Sequence, residues 1–136
     1  MKSKETMSII HSKPLIISFL TCDGVHIDQA SGKYYLMGIF SNIRARKFPV
    51  AHPQMFWFLI LTDVAPGKHR LKITLGLPTE KPVMALERAF ESQSPLHRIH
   101  LINEIKNLRF EQEGNYSLIV EVNDEPIMVT SFGVSR

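Results

Sequence analysis

An apolar–polar alternation with a period of two constrains this chain more than any other feature. Over residues 67–77, His69, Leu71, Ile73, Leu75 and Leu77 alternate with Lys68, Arg70, Lys72 and Thr74. Successive side chains of a strand point to opposite faces, so this run places one face in a core and the other in water. Residues 115–123 repeat the pattern, with Tyr116, Leu118, Val120 and Val122 inward and Ser117 and Glu121 outward. Residues 54–62 differ, because Met55-Phe56-Trp57-Phe58-Leu59-Ile60-Leu61 is apolar on both sides. That run reads as a central strand covered on both faces, or as one whose outer face meets a partner.

The punctuation between these runs is that of a β protein. Residues 28–32 separate a strand near 15–27 from one near 33–45, and Pro66-Gly67 makes a hairpin between the aromatic and the basic-faced strands. Asn123-Asp124 joins two alternating runs, and both residue types tolerate the positive φ of a type I′ turn. Pro49 and Pro53 are expected to confine the segment between the second and third strands to a loop. Met84 to Glu91 contains good helix formers, but Ile99, Leu101 and Ile105 fit one strand face. Ser94-Pro95 breaks residues 83–109 where two strands would turn, so two strands are predicted there. The sum is an all-β sandwich of two sheets, with about eight mostly antiparallel strands.

Length fits one domain, predicted over 14–136 behind a flexible tail at 1–13. The hydrophobic fraction of 44% and the charged fraction of 21% exclude a disordered chain. The single cysteine, Cys22, permits no intrachain disulfide and points to a reducing, cytoplasmic setting. Leu15 to Leu20 precede Cys22 as a lipoprotein leader would, but six apolar residues are too few and Phe19, Leu20 and Thr21 are too large for such cleavage. No stretch approaches the ~20 apolar residues of a membrane span, so no membrane partner is expected.

The residues that carry a family resemblance run through the whole chain. Leu20-Thr21-Cys22-Asp23 leads into Gly32-Lys33 and Leu36-Met37-Gly38-Ile39-Phe40; Phe48-Pro49, His52-Pro53 and the aromatic strand follow. Leu108-Arg109-Phe110 and Glu113-Gly114-Asn115-Tyr116 close the series. In that order and spacing the chain resembles, from about residue 15 to 134, a bacterial family of small proteins of unknown function. The resemblance implies an immunoglobulin-like sandwich with no assigned activity. Gly114-x-Tyr116 also resembles the tyrosine corner of such sandwiches, in which a Tyr hydroxyl bonds to nearby backbone. The chain departs from the family pattern at Asn123-Asp124, where Asp-Gly would be typical.

Motifs that carry chemistry are sparse. His97 and His100 would fall on opposite faces of a strand, and His11, His26, His52 and His69 are isolated, so no metal is expected. His69 lies on the apolar face of its strand and reads as a hydrogen-bonded core residue. Cys22 sits in an apolar run beside Asp23, which disfavours the thiolate. No nucleophile elbow, phosphate loop or dinucleotide fingerprint is present, so neither a cofactor nor an enzymatic activity is expected.

Charge is uneven rather than strong. Residues 1–53 carry seven Lys/Arg against three Asp/Glu, 54–110 carry eight against five, and 111–136 carry one against five. The aromatics fall in apolar strands and are not interleaved with cations, so nucleic acid is not an expected partner. The candidate binding patch is Arg44, Arg46, Lys47 and His52, with Arg44 and Arg46 on one strand face and Lys47 on the other. Lys68, Arg70 and Lys72 would extend it only if their strands were neighbours. Two functions follow as expectations: a non-enzymatic module that binds another protein, or itself, through a strand edge or loops, and a small-ligand or anion-binding protein using the basic loop at 44–53.

Overall fold

The computed structural model describes residues 13–136, and the tail expected at 1–13 lies, apart from Lys13, outside the described residues. Nine strands follow in order: β1 (Leu15–Ile27), β2 (Tyr34–Ile39), β3 (Asn42–Arg44), β4 (Val50–Thr62), β5 (Gly67–Gly76), β6 (Met84–Ser92), β7 (Ile99–Phe110), β8 (Gly114–Val122) and β9 (Glu125–Ser135). They form a five-stranded sheet of order β3-β9-β8-β5-β6 and a four-stranded sheet of order β2-β1-β4-β7. All pairings are antiparallel except β3 with β9. The two strands expected over 83–109 are β6 and β7, with the turn at Ser94-Pro95 between them.

Alternation builds the core as expected. Met55, Trp57, Leu59 and Leu61 of β4 are fully buried and meet Leu71, Ile73 and Leu75 of β5 and Leu118 and Val120 of β8. Each fully buried aliphatic side chain contributes roughly 1.5–3 kcal/mol. The Trp57 indole N–H donates to the Met55 sulfur at 3.2 Å, so its polar atom is not orphaned. Phe110, Tyr116 and Phe132 close one end as an edge-to-face cluster, with Phe110 5.0 Å from Tyr116 and 5.9 Å from Phe132. At the β8–β9 turn Val122 pairs with Glu125, and Asn123 and Asp124 take φ of 53° and 68°, the two positive angles of a type I′ turn.

Two expectations need correction. The strand expected near 33–45 is two strands in different sheets. Gly38 has φ of +66°, and beyond Phe40 the chain crosses to the other sheet, where β3 lies parallel to the end of β9. That division raises the strand count to nine. Pro53 lies inside β4 rather than in a loop. Its missing N–H falls at a gap in the β4–β7 register, opposite Asn107 with φ of +54°, so no ladder bond is lost. The inward set changes parity at this gap, from Leu101, Asn103 and Ile105 to Leu108 and Phe110.

The β1–β2 ribbon folds back over the sheet that carries it. Tyr34 is level with Ile27, whereas Phe58 lies opposite Leu20. Seven residues of straight strand would separate those levels by roughly 23 Å. Instead the Tyr34 ring lies 5.4 Å from Phe58 and stacks on His100 at 4.8 Å. The bend falls at Asp23 and Gly38, where the ladder skips a pair and a side chain at Gly38 would run into the Asp23 carboxylate. The fold-back buries Phe58 and Cys22 although both point away from the main core, which is the two-sided cover expected of the aromatic strand.

Candidate functional site

One side of the sandwich is open. There β6, an edge of the five-stranded sheet, faces β7, an edge of the four-stranded sheet, and no strand among the described residues pairs with either exposed edge. Arg88 spans the gap: its guanidinium donates to the Ile102 carbonyl at 3.0 Å and to the Asn103 Oδ1 at 3.1 Å. Asn103 is buried and its own amide donates to the Trp57 carbonyl at 3.0 Å. This bridge ties the two sheets together across the gap.

The bridge also shows how the β7 backbone points. In an antiparallel ladder the N–H and C=O of one residue face one neighbour, and those of the next residue face the other way. The Ile102 carbonyl turns away from β4 to meet Arg88, so Glu104 and Lys106 also present their N–H and C=O outward. The β4–β7 register runs unbroken between Ile102 and Lys106. These two residues line a cleft of about 400 Å³ with an apolar floor of Val83, Met84, Leu86, Ile105 and Leu108. A second lobe of about 320 Å³ continues past Val83 and Arg109 to Leu77, Pro82 and Tyr116. The Tyr116 hydroxyl donates to the Gln112 carbonyl at 2.6 Å, the bond expected of a tyrosine corner, and this holds the loop that walls the second lobe.

Charges on the groove rim are largely paired among themselves. Lys106 lies 3.8 Å from Glu104, and Glu104 also accepts a hydrogen bond from Gln54. Arg109 meets Glu111 at 2.6 Å. The groove therefore combines an apolar floor, free main-chain groups and a nearly neutral rim.

The basic residues expected to bind lie elsewhere. Arg44 and Arg46 alternate with the buried Ile43 and Ala45 and so share one exposed face, and Lys47 is also exposed. Arg136 joins them: Arg44 donates to its carbonyl at 3.3 Å, while its guanidinium lies 5.6 Å over the Phe48 ring and donates to the Arg46 carbonyl at 3.4 Å. Among the described residues no Asp or Glu side chain lies within ion-pair distance of these four cations. His52 is set apart from them, half-buried with its ring 6.1 Å from Phe40, and none of the expected patch lines either lobe of the groove.

Lys68, Arg70 and Lys72 do not extend the patch, because β8 and β9 separate β5 from β3. They stand instead between acidic rows, with Lys68 opposite Glu91, Lys72 opposite both Glu87 and Glu121, and Arg70 3.6 Å from Glu87.

Cys22, His69 and His100 are engaged in packing. Burial pushes the Cys22 thiol above its ordinary value; a backbone hydrogen bond at Gly24 opposes that shift and the Asp23 carboxylate adds to it. His69 is half-buried, bonded to the Ala65 carbonyl at 2.7 Å and to the Asn123 amide at 2.9 Å, and stacked on Phe90. His100 is engaged by Tyr34. Among the described residues no three His, Cys, Asp or Glu side chains come together to hold a metal ion, and no helix is long and apolar enough to cross a membrane.

The model of a family of unknown function, DUF6941, matches residues 17–135. The chain belongs to this family. No curated protein matches it. The DUF6941 match takes in all of the groove and Arg44, Arg46 and Lys47, but neither Lys13 nor Arg136. The groove was missed in the sequence because its walls come from two different strands, and because which strand lies at an edge is decided by pairing. The one local signal was the alternation of Met84 and Leu86 with Ala85 and Glu87.

Proposed function

We propose that this DUF6941 chain is a non-enzymatic interaction module that receives an extended segment of a partner protein between β6 and β7. The observation that carries the reading is the groove itself: an apolar floor beside the outward N–H and C=O groups of Glu104 and Lys106. An added strand would bond its main chain to β7 and lower alternate side chains onto Leu86, Ile105 and Leu108. Exposed strand edges invite such pairing, and neither Pro nor a bulge blocks β7 between Ile102 and Lys106. The buried Cys22, whose thiol is held above its ordinary value, supports a role without covalent chemistry.

The tyrosine corner and the Trp57 core support an immunoglobulin-like reading of the sandwich. The family resemblance supports a bacterial source, and the lone cysteine a reducing cytoplasm.

Selection of displayed peptides on the purified chain tests the proposal. The expected winners are extended segments with alternating apolar residues, and Lys106→Pro should abolish their retention. Proline there removes an outward N–H without touching the ladder to β4. Winners that bind Lys106→Pro as well as the parent chain would overturn it.

A further inference from the structure

We infer that the partner segment carries carboxylates beside its apolar stretch, and that Arg44, Arg46, Lys47 and Arg136 receive them. This rests on the groove reading above and adds the chemistry of the occupant. The acids and bases that line the groove balance, with Lys106 against Glu104, Arg109 against Glu111 and Lys81 beside Glu80, so the part of a segment lying in it meets no net charge. The cluster at the end of β3 is different. Among the described residues no Asp or Glu side chain lies at ion-pair distance from its four cations, and the nearby Glu113 is engaged by the Arg136 backbone N–H at 2.8 Å.

The two features lie at the same end of the sandwich. Ala51 pairs with Arg109 on the groove rim, at a Cα separation of about 5 Å. Lys47 lies four residues before Ala51, at most about 14 Å away along the chain. A strand that leaves the groove past Arg109 therefore reaches Lys47 within roughly 20 Å, the span of about six extended residues. The cluster is also held rather than loose: Arg136 is clamped by the Arg44 side chain, the Arg46 carbonyl and the Phe48 ring. Guanidinium groups fixed in this way present forks suited to carboxylates. An apolar strand with an acidic flank satisfies both surfaces at once, and a basic flank would be repelled.

Fluorescence anisotropy with three labelled synthetic peptides tests this. Each has the same alternating valine–threonine core, flanked at both ends by glutamates, glutamines or lysines. At low salt the glutamate-flanked probe should bind roughly ten-fold tighter than the glutamine-flanked one, as expected for several exposed ion pairs. The difference should shrink in about 0.3 M salt. The Arg44→Glu/Arg46→Glu variant should lose the preference while holding the glutamine-flanked probe unchanged, and Lys106→Pro should weaken all three probes. Equal affinity of the glutamate- and glutamine-flanked probes for the parent chain would overturn the inference and leave the groove standing. Failure of all three to bind would overturn the groove reading with it.

Discussion

Replacing Tyr116 by Phe removes one atom from the wall of the groove and tests how that wall is held. The side chain is 1% exposed, its hydroxyl donates to the Gln112 carbonyl at 2.6 Å, and its ring packs edge-on to Phe110. A neutral hydrogen bond contributes about 1 kcal/mol net. Gln112 is exposed, so water recovers part of the carbonyl's loss and the cost stays near that figure. For a chain of this length the melting temperature should fall by about 4 °C. Tyr116→Ala also deletes the ring and should cost about 3–5 kcal/mol. The two variants separate further at high pH. Burial pushes the Tyr116 hydroxyl above its ordinary value of 10.0, so the folded chain holds this proton more tightly than the unfolded chain. The stability linked to that proton is complete below the unfolded value and is lost as pH rises through the folded one. Urea titrations from pH 7 to 11 should show a steeper alkaline loss for the parent than for Tyr116→Phe. Parallel alkaline limbs, or a Phe variant as unstable as the Ala variant, would refute the reasoning.

Three further outcomes follow from the structure. Arg88→Met should cost about 1–3 kcal/mol by urea titration, because it strips partners from the Ile102 carbonyl and the buried Asn103; unchanged stability would remove the sheet-to-sheet bridge from consideration. Gly38→Ala should cost about 1–3 kcal/mol through its positive φ and the Asp23 contact, and should shift the His100 ring resonances as Tyr34 lifts away; unmoved resonances would show that the fold-back does not hinge there. Cys22 is fully buried with a raised thiol pKa, so a thiol reagent at pH 8 should react with it only slowly in the native chain and fully in denaturant; rapid native labelling would show that the ribbon opens.

Most of the architecture is local and could be read locally. The alternation over 67–77 and 115–123, the two-sided run at 54–62 and the Asn123-Asp124 turn each reappear in the structure, because each depends on neighbours along the strand. What could not be read depends on distant pairing. β3 is separated from the preceding strand because Asn42 and Arg44 find Ser135 and Arg136, more than ninety residues away. Pro53 is admitted to β4 only because Asn107 supplies a matching gap. The fold-back of the β1–β2 ribbon appears in sequence as nothing more than Gly38. The candidate site follows the same division. Exposure of Arg44 and Arg46 agrees with their alternation with Ile43 and Ala45, whereas Lys47 is exposed because the strand has already ended at Arg44; His52 is drawn inward to Phe40, and the groove arises from two edges that no local pattern marks.

Amide hydrogen exchange, read residue by residue with and without the glutamate-flanked peptide, tests the groove most directly. Glu104 and Lys106 point their N–H groups away from β4 and should exchange quickly in the free chain. On adding peptide these two amides should become protected, while those of β2 on the opposite edge of the same sheet stay unchanged. Protection of the β2 edge instead, with Glu104 and Lys106 still exchanging freely, would contradict strand addition at β7.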